Sequence, residues 1–256
     1  MTFPVYIKMF GLEIPPHPVF ESLGYFCGAR IYFSGRRRDK MTLPSVRETA
    51  WLFLGCIFGA LAGSKLLAWA ESPSVYWAHR ENSGVFIAGK SIVGGLLGGW
   101  LGVELVKRIQ ARPSSMGDGF VFPLVIGTAI GRVGCFLTGL SDDTYGTPTR
   151  LPWGVDFGDH IPRHPTQIYE ILFVLAFGAV LYRLRGRLRV RGELFRAYLL
   201  GYFSFRFLVE FIKPVEVLAV GLSAIQFASL AGVVLSSLSW MRLRRASNPL
   251  IQTHRV

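Results

Sequence analysis

Charge is scarce in this 256-residue chain: Asp, Glu, Lys and Arg make up 17% of it, where a soluble domain carries about a quarter. Cysteine is scarcer still. Three thiols, Cys27, Cys56 and Cys135, are too few to frame a disulfide scaffold, and no disulfide is expected. Acid is in short supply as well, with 16 Asp and Glu against 28 Lys and Arg, for a net charge of +12. Disorder is excluded because hydrophobic residues reach 51%, far more apolar surface than an unfolded chain can leave in water. Together these describe an integral membrane protein. A basic soluble protein would point to nucleic acid. Here the basic residues stand in short clusters between apolar runs, the pattern of membrane orientation, and no nucleic-acid partner is expected. No cleavable signal peptide is expected, since Lys8, Glu13 and Pro15 interrupt the start of the chain where an apolar run would be needed.

A membrane-crossing helix takes about 20 mostly apolar residues. Seven segments qualify, at roughly residues 20–34, 50–70, 85–106, 120–140, 166–182, 194–212 and 217–241. The first is the shortest. Gly55, Gly59 and Gly63, and again Gly94, Gly98 and Gly102, fall at the four-residue spacing that lets helices approach closely in lipid. Seventeen Lys and Arg fall in the connections of one side and five in those of the other. Basic residues stay in the cytoplasm, so the N-terminus is expected outside and the C-terminus inside. The expected fold is all-α, one polytopic membrane domain over residues 1–256 with seven transmembrane helices. The longest connection, residues 141–165, lies on the outer side. No soluble domain is available for chemistry, so any activity sits within the helices or at the outer surface.

Gly84 to Ser91 reads GVFIAGKS and fits the phosphate-loop pattern, which also needs a strand before it and a soluble helix after it. An apolar segment runs through it instead, so the pattern is rejected. Lys90 is left with two readings, a side chain snorkelling to the outer interface or a contact to an anion.

Charge inside a bilayer faces a cavity or a partner. Arg132 stands in the fourth segment with no acid near it on its own helix. Arg206 stands in the sixth, with Glu210 four residues on and on the same face. An internal ion pair is one reading of Arg206 and Glu210. Two buried guanidinium groups with too few acids also suggest an anionic ligand held by bidentate hydrogen bonds, and in a bilayer that anion is a phospholipid head group. Arg163, His164, Gln167, Tyr169 and Glu170 gather polar groups at the start of the fifth segment, where Pro165 suits a first helical turn. His164 is either a hydrogen-bonding residue at a helix start or a general base at the outer interface. The loop from Asp142 to Gly154, with Trp153 suited to the interface, is an ordered surface loop or a lid. Local Cys and His spacing suggests no metal site.

The strings GRVGCFLTG from Gly131, LPWG from Leu151, RHPTQIYE from Arg163 and GYFSFRFLVEF from Gly201 resemble the prolipoprotein diacylglyceryl transferases, and they run in that family's order. The resemblance implies a multi-pass enzyme of the bacterial plasma membrane that needs no cofactor. It would move diacylglyceryl from phosphatidylglycerol to the thiol of a lipobox cysteine in a preprotein, releasing glycerol phosphate. It assigns the phosphate to Arg132 and Arg206, which would stabilise its charge as the C–O bond breaks, with Tyr202 and Glu210 beside Arg206. Arg163, Gln167, Tyr169, Glu170 and Lys90 complete the expected substrate contacts. The chain also departs from the family. Val93 stands where many members carry a histidine in the third segment, and Cys135, Thr138 and Leu140 replace two Asn and a Glu. His164, with Asp142 or Asp143 behind it, is the candidate for the missing base. The alternatives are a phospholipid-binding relative with another acceptor, or a non-catalytic binding or transport protein. Cys135 is near the expected lipid site, either as a small buried hydrophobe or in a covalent role.

Overall fold

The computed structural model describes residues 3–9, 11–38, 46–111, 117–188 and 190–247. These are mostly helical. Among the described residues, four helices are long and apolar enough to cross a membrane, Arg47–Glu71, Gly117–Asp142, Thr166–Leu184 and Ala224–Ala246. Large apolar side chains point away from the protein along several helices; Phe26, Phe58, Leu172 and Leu208 are all more than 60% exposed. In water that would be a liability; in lipid it is the expected exterior.

The chain forms two units. The first comprises residues 1–40, 116–198 and 211–214. It opens with a hairpin of β1 (Ile7–Met9) and β2 (Leu12–Ile14), paired Ile7↔Ile14, Lys8↔Glu13 and Met9↔Leu12. Helix α1 (Pro16–Arg38) follows. It starts four residues before the expected segment because Pro16 and Pro18 fall in the first turn, where a missing N–H costs nothing. Much of this unit's packing is α1 against α6 (Val121–Thr138) and α6 against α7 (Thr166–Leu184), around buried Val121, Val125, Ala129 and Val174. Helix α6 stops at Gly139, whose φ of 71° is open to glycine and strained for other residues. A short 3₁₀ turn, Gly139–Asp142, then turns the chain back over the start of α1. Strands β3 (Val155–Asp156) and β4 (Pro162–Arg163) close the loop between α6 and α7. The start of α8 (Glu193–Val209) is capped from a distance: Asp118 accepts from the backbone N–H of Gly192 and Phe195 at 2.6 and 2.9 Å.

The second unit comprises residues 41–115, 199–210 and 215–256. Its framework is α2 (Val46–Glu71) against α5 (Ile92–Ile109). The two glycine rows meet in antiparallel register. A Cβ on Gly59 would lie 2.3 Å from the carbonyl oxygen of Gly98, and one on Gly102 would lie 2.1 Å from that of Gly55. The third expected segment is not one helix. A short α3 (Pro73–Ala78) and α4 (Ser83–Ala88) precede α5, and the chain breaks between Ala88 and Ile92. Ser91 restarts the helix as N-cap of α5, accepting from the Gly94 N–H. Lys65, in the apolar stretch of α2, donates to the carbonyl oxygens of Ile87 and, at 2.7 Å, Gly89. Its ammonium thus satisfies carbonyls that the end of α4 leaves open. The phosphate-loop string is this broken helix, with no strand before it. The last helix, α9 (Ala224–Ala246), begins later than expected. Residues 219–222 make a tight turn with Val220 and Gly221 at positive φ, and a capping box of Ser223 and Gln226 sets the start.

Candidate active site

Arg132 projects from α6 toward α7, where its Nη2 donates to Glu170 Oε2 at 2.9 Å. The two are 6% and 2% exposed. This corrects the expectation that Arg132 lacks an acid, which looked only along its own helix. In the second unit, Arg206 Nη2 donates to Glu210 Oε2 at 3.0 Å, with Glu210 wholly buried. Each guanidinium therefore has a carboxylate, and a surplus of charge no longer argues for an anion. Gln167 does so instead. It stands one turn before Glu170 on α7, so the two share a face. It is 1% exposed, and neither its amide oxygen nor its nitrogen has a hydrogen-bond partner among the described residues. Leaving such a group unsatisfied costs about 1–3 kcal/mol, a cost that a polar ligand beside Arg132 would remove.

Of the other expected contacts, Tyr202 is buried on α8 four residues before Arg206. Lys90 is exposed in the break between α4 and α5, not within a helix.

The end of the first unit at the start of α7 is tied by side chains. Trp153 Nε1 donates to the Tyr169 hydroxyl at 2.8 Å, and that hydroxyl lies 3.1 Å from His164 Nδ1. No carboxylate backs His164 among the described residues, which corrects the expected arrangement. Tyr169 holds the ring instead, leaving Nε2 for other partners. Arg163 is committed to the loop itself. It donates to Asp159 at 2.5 Å and lies over the Tyr145 ring at 5.0 Å, and it holds the Asp159 carboxyl below its ordinary range. Asp143 sits in the left-handed region, φ 51°. Burial and the neighbouring Asp142 push its carboxyl up, against the pull of Lys213.

Asp142 belongs to another group. Its Oδ1 is 2.5 Å from His17 Nδ1, and its Oδ2 accepts from the Thr144 hydroxyl at 2.7 Å. Cys135 Sγ lies 3.8 Å from the same His17 nitrogen and 3.8 Å from an Arg132 Nη1 that points to it. His17 Nε2 faces Glu21 at 3.8 Å. Close packing makes this possible: a Cβ on Gly134 would stand 2.7 Å from Phe20 Cβ and 3.3 Å from His17 Cα. Cys135 and His17 are 118 residues apart, which is why local spacing shows no such cluster. The ligand atoms of His17, Cys135 and Asp142 all lie within 4.8 Å of one another.

Residues 4–242 match the family model described as prolipoprotein diacylglyceryl transferase. The chain belongs to that family. It is 32% identical over 249 residues to the phosphatidylglycerol–prolipoprotein diacylglyceryl transferase of Bordetella parapertussis, covering 90% of this chain and 91% of the relative. It is 34% identical over 205 residues to the protein of the same name from Paracidovorax citrulli, covering 76% and 75%. The Bordetella avium relative matches at 32% over 267 residues, covering 94% and 96%.

Arg132, Arg206 and the RHPTQIYE string, on which the resemblance rested, are all present in this diacylglyceryl transferase family member. Val93, expected where many members carry a histidine, is 1% exposed and has no titratable group. His17 is the polar residue that reading along the sequence missed. Its one signal was a histidine between two prolines ahead of the first apolar segment.

Proposed function

We propose that this protein is a phosphatidylglycerol–prolipoprotein diacylglyceryl transferase of a bacterial plasma membrane, crossing it seven times with the N-terminus outside. The spans would be the four long apolar helices together with α1, the broken α4–α5 segment and α8. The Lys and Arg asymmetry supports the orientation. In the reaction, the acceptor cysteine thiolate attacks the glyceryl carbon and the C–O bond to phosphate breaks, so the phosphate goes from one negative charge to two. Groups that stabilise the second charge lower the barrier.

The observation that carries the reading is the buried trio on α6 and α7. Arg132 is held by Glu170, and one turn before Glu170 on α7 the Gln167 amide has no partner among the described residues. A phosphodiester offers acceptors to both Arg132 and the Gln167 N–H. Tyr202, Arg206 and Glu210 match the family's second polar string, and Lys90 is retained as an exposed cation for a head group. His164, steadied by Tyr169, is the proposed proton acceptor at the outer surface, with Asp143 as a second titrating group of the same loop. The acceptor would be a lipobox peptide.

The test is transfer from phosphatidylglycerol to a lipobox peptide by the full chain in liposomes, read by peptide mass and glycerol phosphate release. Transfer that disappears with Arg132→Ala is the expected result. No transfer by the parent protein, with phosphatidylglycerol still bound, would overturn the reading in favour of a lipid-binding relative with another acceptor.

A further inference from the structure

The cluster of His17, Cys135 and Asp142 is more than the phosphate site needs. It offers an imidazole nitrogen, a thiol sulfur and a carboxylate oxygen on one side of α1 and α6. Both Cys135 and Asp142 converge on the same ring nitrogen, Nδ1. That differs from a nucleophilic triad, in which the acid and the nucleophile take opposite nitrogens of the ring. The three donor atoms all lie within 4.8 Å of one another, close enough to share one metal ion.

We propose that His17, Cys135 and Asp142 form a three-ligand site for a zinc-class divalent ion, whose fourth position takes the acceptor thiol. The inference rests on the transferase reading above. The donor set, one nitrogen, one sulfur and one oxygen, is that of borderline-soft Zn²⁺, and three protein ligands with an open fourth position are the pattern of catalytic zinc. Zinc bonds of about 2.0–2.3 Å place tetrahedral ligands roughly 3.3–3.8 Å apart. The Sγ to Nδ1 distance of 3.8 Å already fits. The Asp142 to His17 distance of 2.5 Å is that of two groups sharing a proton, and it opens by under about 1.5 Å when an ion takes the proton's place.

The surroundings agree. Metal-binding histidines direct their other nitrogen at a carboxylate, and ligating carboxylates are themselves hydrogen-bonded. His17 turns Nε2 toward Glu21, and Asp142 accepts from Thr144. The Arg132 guanidinium lies 3.8 Å from the Cys135 sulfur and is itself balanced by Glu170. A divalent cation with one thiolate, one carboxylate and a neutral imidazole is neutral overall.

Such an ion would supply what Val93 lacks. A thiol that coordinates zinc is deprotonated outright, so the acceptor needs no histidine on the third segment to become a nucleophile. The acceptor R–SH binds the ion and its proton passes to His164 and from there to water. The sulfur electron pair forms the C–S bond to the glyceryl carbon while the C–O bond breaks, its electron pair staying on the phosphate oxygen. The products are the thioether, glycerol phosphate and one proton, and no oxidant or reductant is involved.

The experiment uses the full chain in detergent micelles, stripped with a chelator and titrated with Co²⁺. One equivalent is expected to bind with a thiolate-to-cobalt charge-transfer band. Cys135→Ser is expected to abolish the band, and Glu21→Gln to weaken binding about 10- to 100-fold with the band retained. His17→Gln and Asp142→Asn are expected to lose tight binding, so the conclusion does not hang on one variant folding. No charge-transfer band in the parent protein, or an undiminished band in Cys135→Ser, would overturn the site. Transfer that persists unchanged after chelation would overturn the ion's role. Absence of transfer with the band intact counts against the transferase reading and leaves the site standing.

Discussion

Arg132 and Glu170 meet at 2.9 Å from two different helices, α6 and α7, and both are almost completely buried. Breaking a buried pair on one side leaves an uncompensated charge, at a cost of about 3–5 kcal/mol. Glu170→Ala is therefore expected to lower the melting temperature in detergent. Arg132→Ala is expected to lose transfer by about 10²–10³-fold, the usual effect of removing one group that stabilises developing charge. Arg132→Lys keeps the charge and loses the two-pronged fork, so its transfer should stay low. Near-parental transfer by Arg132→Lys would show that charge alone suffices.

Gln167 makes the opposite prediction about stability. Its buried amide has no partner among the described residues, so Gln167→Leu removes an unsatisfied group and should leave stability unchanged or raised by up to about 1–3 kcal/mol. The same change should raise KM for phosphatidylglycerol. A drop in stability with KM unchanged would assign the amide to the fold.

The glycine rows of α2 and α5 should tolerate no side chain at their centre. Gly59→Leu sets a branched chain where even a Cβ lies 2.3 Å from a backbone carbonyl, and the helices must part. Loss of folded yield is expected, while Gly35→Ala, where nothing lies within 4 Å, should be silent. A normal melt for Gly59→Leu would contradict the packing.

The Asp159 and Arg163 pair ties the loop between α6 and α7. The Asp159 carboxyl is held low in the folded protein, so its contribution is present above the ordinary carboxylate pKa of about 3.9 and fades as pH falls through the lower folded value. The Ile161 N–H bonds to the same carboxylate. Asp159→Asn is expected to speed Ile161 amide exchange at pH 7. Once both forms are neutral in strong acid, the two proteins should exchange alike. An equal rate at pH 7 would show that the pair does not order the loop.

The helices and the arginines were legible in the sequence because they depend on local composition. Runs of apolar residues placed all the long helices, and the spacing of Gly55, Gly59 and Gly63 announced a close contact. The break at residues 89–91 was not legible, since it is stabilised by Lys65 from another helix. Glu170 was read as a polar residue of its own motif, and only the packing of α6 on α7 shows it as the partner of Arg132. His17 and Asp142 were further out of reach. Their meeting depends on Gly134 admitting α1 and on Gly139 turning the chain back, two backbone effects with no local pattern.

Lys65 and the broken helix account for each other. Were α4 and α5 one rod, the carbonyls of Ile87 and Gly89 would bond to amides a turn ahead, and an ammonium group in the apolar part of α2 would be stranded. With the rod cut, those oxygens become the ammonium's solvent. In evolutionary terms the two features form a lock and its key. A lineage could shed the lysine or straighten the helix only by doing both, so the pair should be kept or lost together.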